Sequence, residues 1–199
     1  MSDSDRQQTG DALLIVDVQN DFCAGGALAV PDGDAVIPVL NRWIEAARSA
    51  GVPVFASRDW HPPDHMSFRA QGGPWPPHCV QNTPGAAFHP ELLLPPDTGV
   101  VSKGTEPDVE GYSAFEHTGF AGRLRDAGVR RLWIGGLARD YCVRASALGA
   151  LAEGFDVRII VPGTRGIAPP INGRDAALDE LAAAGATLDE RTAPSPPSP

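Results

Sequence analysis

The residues able to do chemistry crowd into a few short stretches. In RDWHPPDHMSF, residues 58–68, Asp59, His61 and His65 fall within seven positions, and His78 follows in PWPPHCV. Imidazole and carboxylate donors suit Zn²⁺, Fe²⁺ or Mn²⁺. Asp59 and His61 stand one residue apart, so an extended backbone can turn both side chains to one side. A single loop histidine is more often a solvent-exposed side chain than a ligand. Three of the chain's five histidines within 18 residues favour one divalent metal ion held by Asp59, His61, His65 and His78. His89 and His117 lie outside this cluster and receive no role, and Cys79 reads as a packed thiol.

A second centre forms around Cys142, in LWIGGLARDYCV, which follows an apolar run and a glycine pair and opens a helical pattern. A helix N-terminus points unpaired N–H groups and a positive dipole end at such a residue, which favours thiolate, the nucleophilic form. Amides in a tight strand-to-helix turn can also face a developing oxyanion. The competing reading is a small buried cysteine, as most cysteines are. No histidine stands at the end of a central strand, but Asp17 in LLIVDVQ and Lys103 in VVSKG do. Asp17 could take the thiol proton, and an ammonium nearby would favour thiolate. Taken singly, Asp17 is equally well read as holding loop amides, with Lys103 as its salt-bridge partner.

These groups need a scaffold, and the periodicity supplies one. Strands are predicted at 11–19, 52–58, 98–104, 130–137 and 155–162, with an edge strand over 186–192. Helices are predicted at 34–51, 113–128, 140–154 and 173–185. Short apolar runs alternating with amphipathic helices mean an α/β, three-layer, doubly wound fold. It carries a mostly parallel sheet of about six strands, with helices on both faces. Ligands in such sheets bind beyond the strand C-termini, where Asp17, Asp59, Lys103 and Cys142 all fall. The Pro-rich segment 59–97 is too long for a plain connection and reads as a functional loop.

The chain's 199 residues fit one domain over 11–192, with disordered tails at 1–10 and 193–199. A net charge of −9 argues against nucleic acid and anionic membranes as partners, both of which want basic patches. No apolar run approaches a membrane span or a signal peptide. Three cysteines, an odd number without tight spacing, suit free thiols and a cytoplasmic setting. The sequence leaves the oligomeric state open, a homo-oligomer included.

DALLIVDVQNDFCAGGALAV, SRDWHPPDHMSF, WPPHCVQNTPGAAFHP, SKGTEPDVEGYSAF and GLARDYCV, in that order, resemble the nicotinamidases and pyrazinamidases of the isochorismatase-like cysteine hydrolases. The likeness runs from about residue 11 to 190. It implies conversion of nicotinamide to nicotinate and ammonia, with Cys142 as nucleophile, Asp17 as proton shuttle and Lys103 as the cation keeping the thiol acidic. It further implies Asp59, His61, His65 and His78 as metal ligands and the amides of Ala138 and Cys142 as the oxyanion hole. The peptide before Ala138 would be cis, and Phe22, Trp75 and Tyr112 would enclose the pyridine ring. The family usually carries threonine where Arg139 stands. A long cation beside the pocket could change which amides enter, or contact a bound carboxylate product, which bears on substrate range more than on reaction type. Other readings keep the thiol chemistry on another small amide, give the reaction to a metal-bound hydroxide, or make the chain a metal-dependent binding protein.

Overall fold

A computed structural model describes residues 7–194. Residues 1–6 and 195–199, parts of the expected tails, lie outside that range. Within it, the Gly10 carbonyl accepts the amides of Arg130 and Arg131, at 2.7 and 3.1 Å, tying the entry of the first strand to that of the fourth.

Six strands form one sheet: β1 (Asp11–Val16), β2 (Val54–Asp59), β3 (Gly99–Lys103), β4 (Arg131–Leu137), β5 (Asp156–Arg165) and β6 (Thr187–Asp189). Their order is β3-β2-β1-β4-β5-β6 and every neighbouring pair is parallel. The mostly parallel sheet expected from the alternation is therefore parallel throughout. All six residues of β1 are buried, as a central strand covered on both faces requires. Alternate residues serve the two layers. Leu13 and Ile15 pack with Trp43 and Leu40 of α1 (Ile37–Ser49). Ala12, Leu14 and Val16 pack with Phe120 and Leu124 of α2 (Phe120–Asp126), Ala147 of α3 (Arg144–Ala152) and Leu181 of α4 (Ala176–Ala183).

The strand order reverses between β1 and β4, which opens a crevice beyond their C-terminal ends. Gly136 makes that junction close: a Cβ there would sit 2.0 Å from the Val16 carbonyl oxygen, and its φ is +135°.

The helices are shorter than the periodicity predicts. Residues 113–119 form turns rather than the first half of a helix, because His117 and Gly119 adopt left-handed φ of 54° and 67° and Thr118 Oγ1 bonds the Ala114 carbonyl at 2.5 Å. The helix predicted from 140 begins as one turn of π-helix, Arg139–Val143, before α3. α4 starts at Ala176, where Asp175 caps the amides of Ala177 and Leu178. Among the described residues no helix is long and apolar enough to cross a membrane.

Candidate active site

Asp17 is the first residue past β1 and turns left-handed, φ 48°, a conformation aspartate tolerates better than most side chains. Its carboxylate is wholly buried: Oδ1 accepts the Ser57 hydroxyl at 2.7 Å, and Oδ2 lies 2.8 Å from Lys103 Nζ. The Lys103 ammonium ends β3 and donates to the Gly111 carbonyl at 3.1 Å. It also reaches Cys142 Sγ at 3.3 Å and pairs with Asp59 Oδ1. One cation therefore joins two carboxylates and a thiol, from four strand ends that are scattered in sequence.

Burial disfavours charge on Lys103, but Asp17, Asp59 and Cys142 outweigh it and raise its pKa well above the ordinary range. Burial, with Asp59 adding, raises Asp17 against the pull of Lys103. For Cys142, burial again comes first and the two carboxylates add to it, so the thiol lies well above its usual value despite Lys103. Desolvation and the two facing carboxylates thus shift the thiol upward, opposite to the lowering expected at a helix N-terminus.

Asp59 ends β2. Burial pushes its carboxyl up, but Lys103, His61 and His78 together hold it well below the ordinary carboxylate range. Its Oδ2 faces His61 Nε2 at 3.4 Å and His78 Nε2 at 3.9 Å. His61 Nδ1 donates to the Gly104 carbonyl at 2.9 Å and His78 Nδ1 to that of Pro76 at 2.8 Å. Both rings therefore turn Nε2 toward Asp59, with a backbone carbonyl on Nδ1 fixing each ring as it does in metal-ligating histidines. The ligand atoms of Asp59, His61 and His78 lie within 4.8 Å of one another. This donor set fits a divalent ion on its own chemistry. Gly104 is needed here: at φ +59°, a Cβ would sit 2.5 Å from His61 Cε1.

His65 does not join the three. Its ring stacks beside His61 with centroids 4.0 Å apart. Nδ1 takes the Ser67 amide at 3.3 Å and lies 2.8 Å from the Ser67 hydroxyl. That bonding puts the proton on Nε2, which reaches the Val109 carbonyl at 2.8 Å.

The cleft over this centre is lined by Asp59, His61, His78, Trp75, Glu110 and Tyr112. Trp75 Nε1 donates to the Tyr112 hydroxyl at 3.0 Å, and Phe22 packs on His78 with centroids 5.6 Å apart. Tyr141, beside the thiol, adds a third wall, 5.1 Å from Trp75 and 5.8 Å from Tyr112 between centroids. Sequence reading passed over Tyr141, though its place next to Cys142 was a signal. It also passed over Gln19, whose buried amide binds the Asp59 carbonyl and amide, each at 2.8 Å. Nothing in the spacing of Gln19 or Ser57 signals these contacts.

The turn carrying Cys142 is fixed at both ends. The peptide between Leu137 and Ala138 is cis, and the Ala138 carbonyl accepts the amides of Tyr141 and Val143, each at 3.1 Å. Arg139 does not enter the pocket. Its Nε and Nη2 donate to the Thr164 hydroxyl and carbonyl, at 2.8 and 3.0 Å, and Nη1 pairs with Asp175. The expectation of a cation beside the substrate is thereby corrected: β5 and the cap of α4 supply better partners than the cleft. Asp140 accepts the amides of Ile167 and Ala168 at 3.0 and 2.8 Å.

Comparison with known proteins finds relatives along nearly the whole described chain. A model of the isochorismatase domain matches residues 11–192. The chain is 44% identical to a nicotinamidase of Escherichia coli (strain K12), covering 89% of this chain and 93% of that one. It is 39% identical to a nicotinamidase/pyrazinamidase of Mycobacterium tuberculosis (strain ATCC 25618 / H37Rv), covering 89% and 97%. Among solved structures, the pyrazinamidase of Pyrococcus horikoshii in complex with zinc superposes with a TM-score of 0.87 at 48% identity, over 92% of this chain and 99% of that one. With the whole folded region matched and relatives this similar at full length, the chain belongs to the isochorismatase family, in its nicotinamidase/pyrazinamidase group.

Proposed function

We propose that this hydrolase converts nicotinamide to nicotinate and ammonia through a thioester on Cys142. The observation that carries the reading is the buried Lys103 ammonium, 2.8 Å from Asp17 Oδ2 and 3.3 Å from Cys142 Sγ. Asp17 takes the proton from Sγ, and Sγ attacks the carboxamide carbon. The amides of Ala138 and Cys142 take the oxyanion. Asp17 then hands its proton to the amide nitrogen, the C–N bond breaks and ammonia leaves. A water that gives a proton to Asp17 attacks the thioester carbon, the C–S bond breaks, and that proton returns to Sγ. Lys103 neutralises the charge that passes between Asp17 and the sulfur.

Asp59, His61 and His78 would hold the divalent ion, which when bound supplies a Lewis-acidic centre for the ring nitrogen. His65 would join as a fourth ligand only by releasing Val109. Zn²⁺, Fe²⁺ and Mn²⁺ all suit these donors. Phe22, Trp75, Tyr112 and Tyr141 hold the ring, so orientation supplies part of the rate. Arg139, bonded to Thr164 and Asp175, gives no support to a different small amide. We assign the reaction to the cytoplasm, in the salvage of nicotinamide for pyridine nucleotide synthesis.

Ammonia release from nicotinamide by the wild type, by Cys142→Ala and by chelated protein tests the reading. Release should vanish in Cys142→Ala and return to chelated protein on adding metal back. Turnover surviving in Cys142→Ala would favour a metal-bound hydroxide instead, and a wild type without release would refute the substrate.

A further inference from the structure

Away from the cleft, three segments bring together a second set of donors that the chemistry above does not use. Cys23 follows a 3₁₀ turn (Asn20–Phe22), Asp34 sits in another (Gly33–Val36), and His89 lies in the loop before β3. The ligand atoms of these three residues lie within 4.8 Å of one another. We propose that Cys23, Asp34 and His89 form a second divalent-metal site, selective for a zinc-class ion.

The backbone under each donor is already fixed. The Cys23 amide bonds the Asn20 carbonyl at 3.2 Å, and the His89 amide bonds that of Val18 at 2.9 Å. Asp34 Oδ1 accepts the Ala24 amide at 2.9 Å. Tetrahedral zinc with bonds of about 2.0–2.3 Å needs its ligands roughly 3.5 Å apart, so side-chain adjustments on the order of 1 Å close the set. Thiolate with imidazole and one carboxylate selects zinc-like ions over magnesium or calcium. Cys23 is buried while Asp34 is exposed and His89 half-exposed, so an ion enters from solvent and keeps a water on the open side.

The Cys23 thiol and the Asp34 carboxylate already face each other. Burial, then the Asp34 carboxylate, pushes the Cys23 thiol up to about 12. A bound ion displaces that proton and neutralises the thiolate and the carboxylate together. Among the described residues His89 makes one side-chain hydrogen bond, a long one of 3.3 Å from the Glu91 amide to Nδ1, so the imidazole gives up little on binding. The ion would clip the loop after β1 to the loop before β3, next to Phe22.

Cobalt titration of the full chain separates this site from the first. Asp59, His61 and His78 offer no sulfur, and Cys142→Ala removes the thiol that stands with Asp17 and Asp59. In that background, a near-ultraviolet thiolate-to-cobalt band reports the second site and is independent of turnover. We expect the band, with one more equivalent of cobalt bound than in Cys23→Ser or His89→Gln. Because Cys23 is buried, His89→Gln, at a half-exposed position, keeps the test valid should the serine variant unfold, with circular dichroism as the check. Absence of the band, equal uptake by parent and His89→Gln, or a band that persists in His89→Gln would each overturn the proposal.

Discussion

Arg139→Met asks whether the cation before the nucleophile serves the substrate or the scaffold. Its guanidinium makes three contacts, to the Thr164 hydroxyl, the Thr164 carbonyl and Asp175, and side-chain exposure is 13% for Arg139 and 18% for Asp175. Solvent screening is therefore modest. Each acceptor keeps another partner in the variant. The Thr164 carbonyl still takes Arg165 Nη1 at 2.7 Å, the Thr164 hydroxyl still reaches Val161 at 2.9 Å, and Asp175 Oδ1 still caps α4. No buried group is orphaned, so the loss should resemble one charge-assisted bond rather than three, about 2–3 kcal/mol. For a chain of this size that is roughly 4–12 °C in Tm. Methionine preserves much of the stem, so packing changes little. Thermal unfolding reads the first quantity and steady-state ammonia release the second. KM for nicotinamide should hold within about twofold while kcat falls several-fold as the turn loosens, a loss of about 1 kcal/mol in transition-state stabilisation. A tenfold rise in KM with Tm unmoved would refute the reasoning and return Arg139 to the pocket.

Lys103→Met leaves the Asp17 and Asp59 carboxylates, 0% and 6% exposed, without their shared cation. It should cost about 3–5 kcal/mol and abolish ammonia release; a urea midpoint equal to wild type would contradict this. Gly104→Ala places a methyl 2.5 Å from His61 Cε1, so zinc retained after dialysis should fall at least several-fold, and full retention would show that His61 is not a ligand. Since burial raises Asp17 and the base must be ionised, kcat/KM should rise with pH along an acid limb above the ordinary aspartate value of about 3.9. A limb at or below that value would exclude Asp17 as the base. The same raised pKa means Asp17's contribution to stability is fully present below about 3.9 and lost as pH climbs through its folded value.

Much of this molecule is legible in the chain. The run DALLIV predicts a strand buried on both faces, and the alternation of such runs with amphipathic helices predicts a parallel α/β sheet, because period and burial are local properties of sequence. The strand-end rule then places Asp17, Asp59, Lys103 and Cys142 at one edge. Other features exist only once distant segments meet. Left-handed residues at His117 and Gly119 cut the predicted helix in half. Burial beside two carboxylates reverses the thiol acidity that a helix N-terminus alone would give. Val109 and Ser67 occupy His65, and Thr164 and Asp175 draw Arg139 out of the cleft. Residue type and spacing determine which groups are available and at which end of the sheet they stand. Which partner each group takes is a competition among contacts far apart in sequence, decided by distance and desolvation in the folded chain.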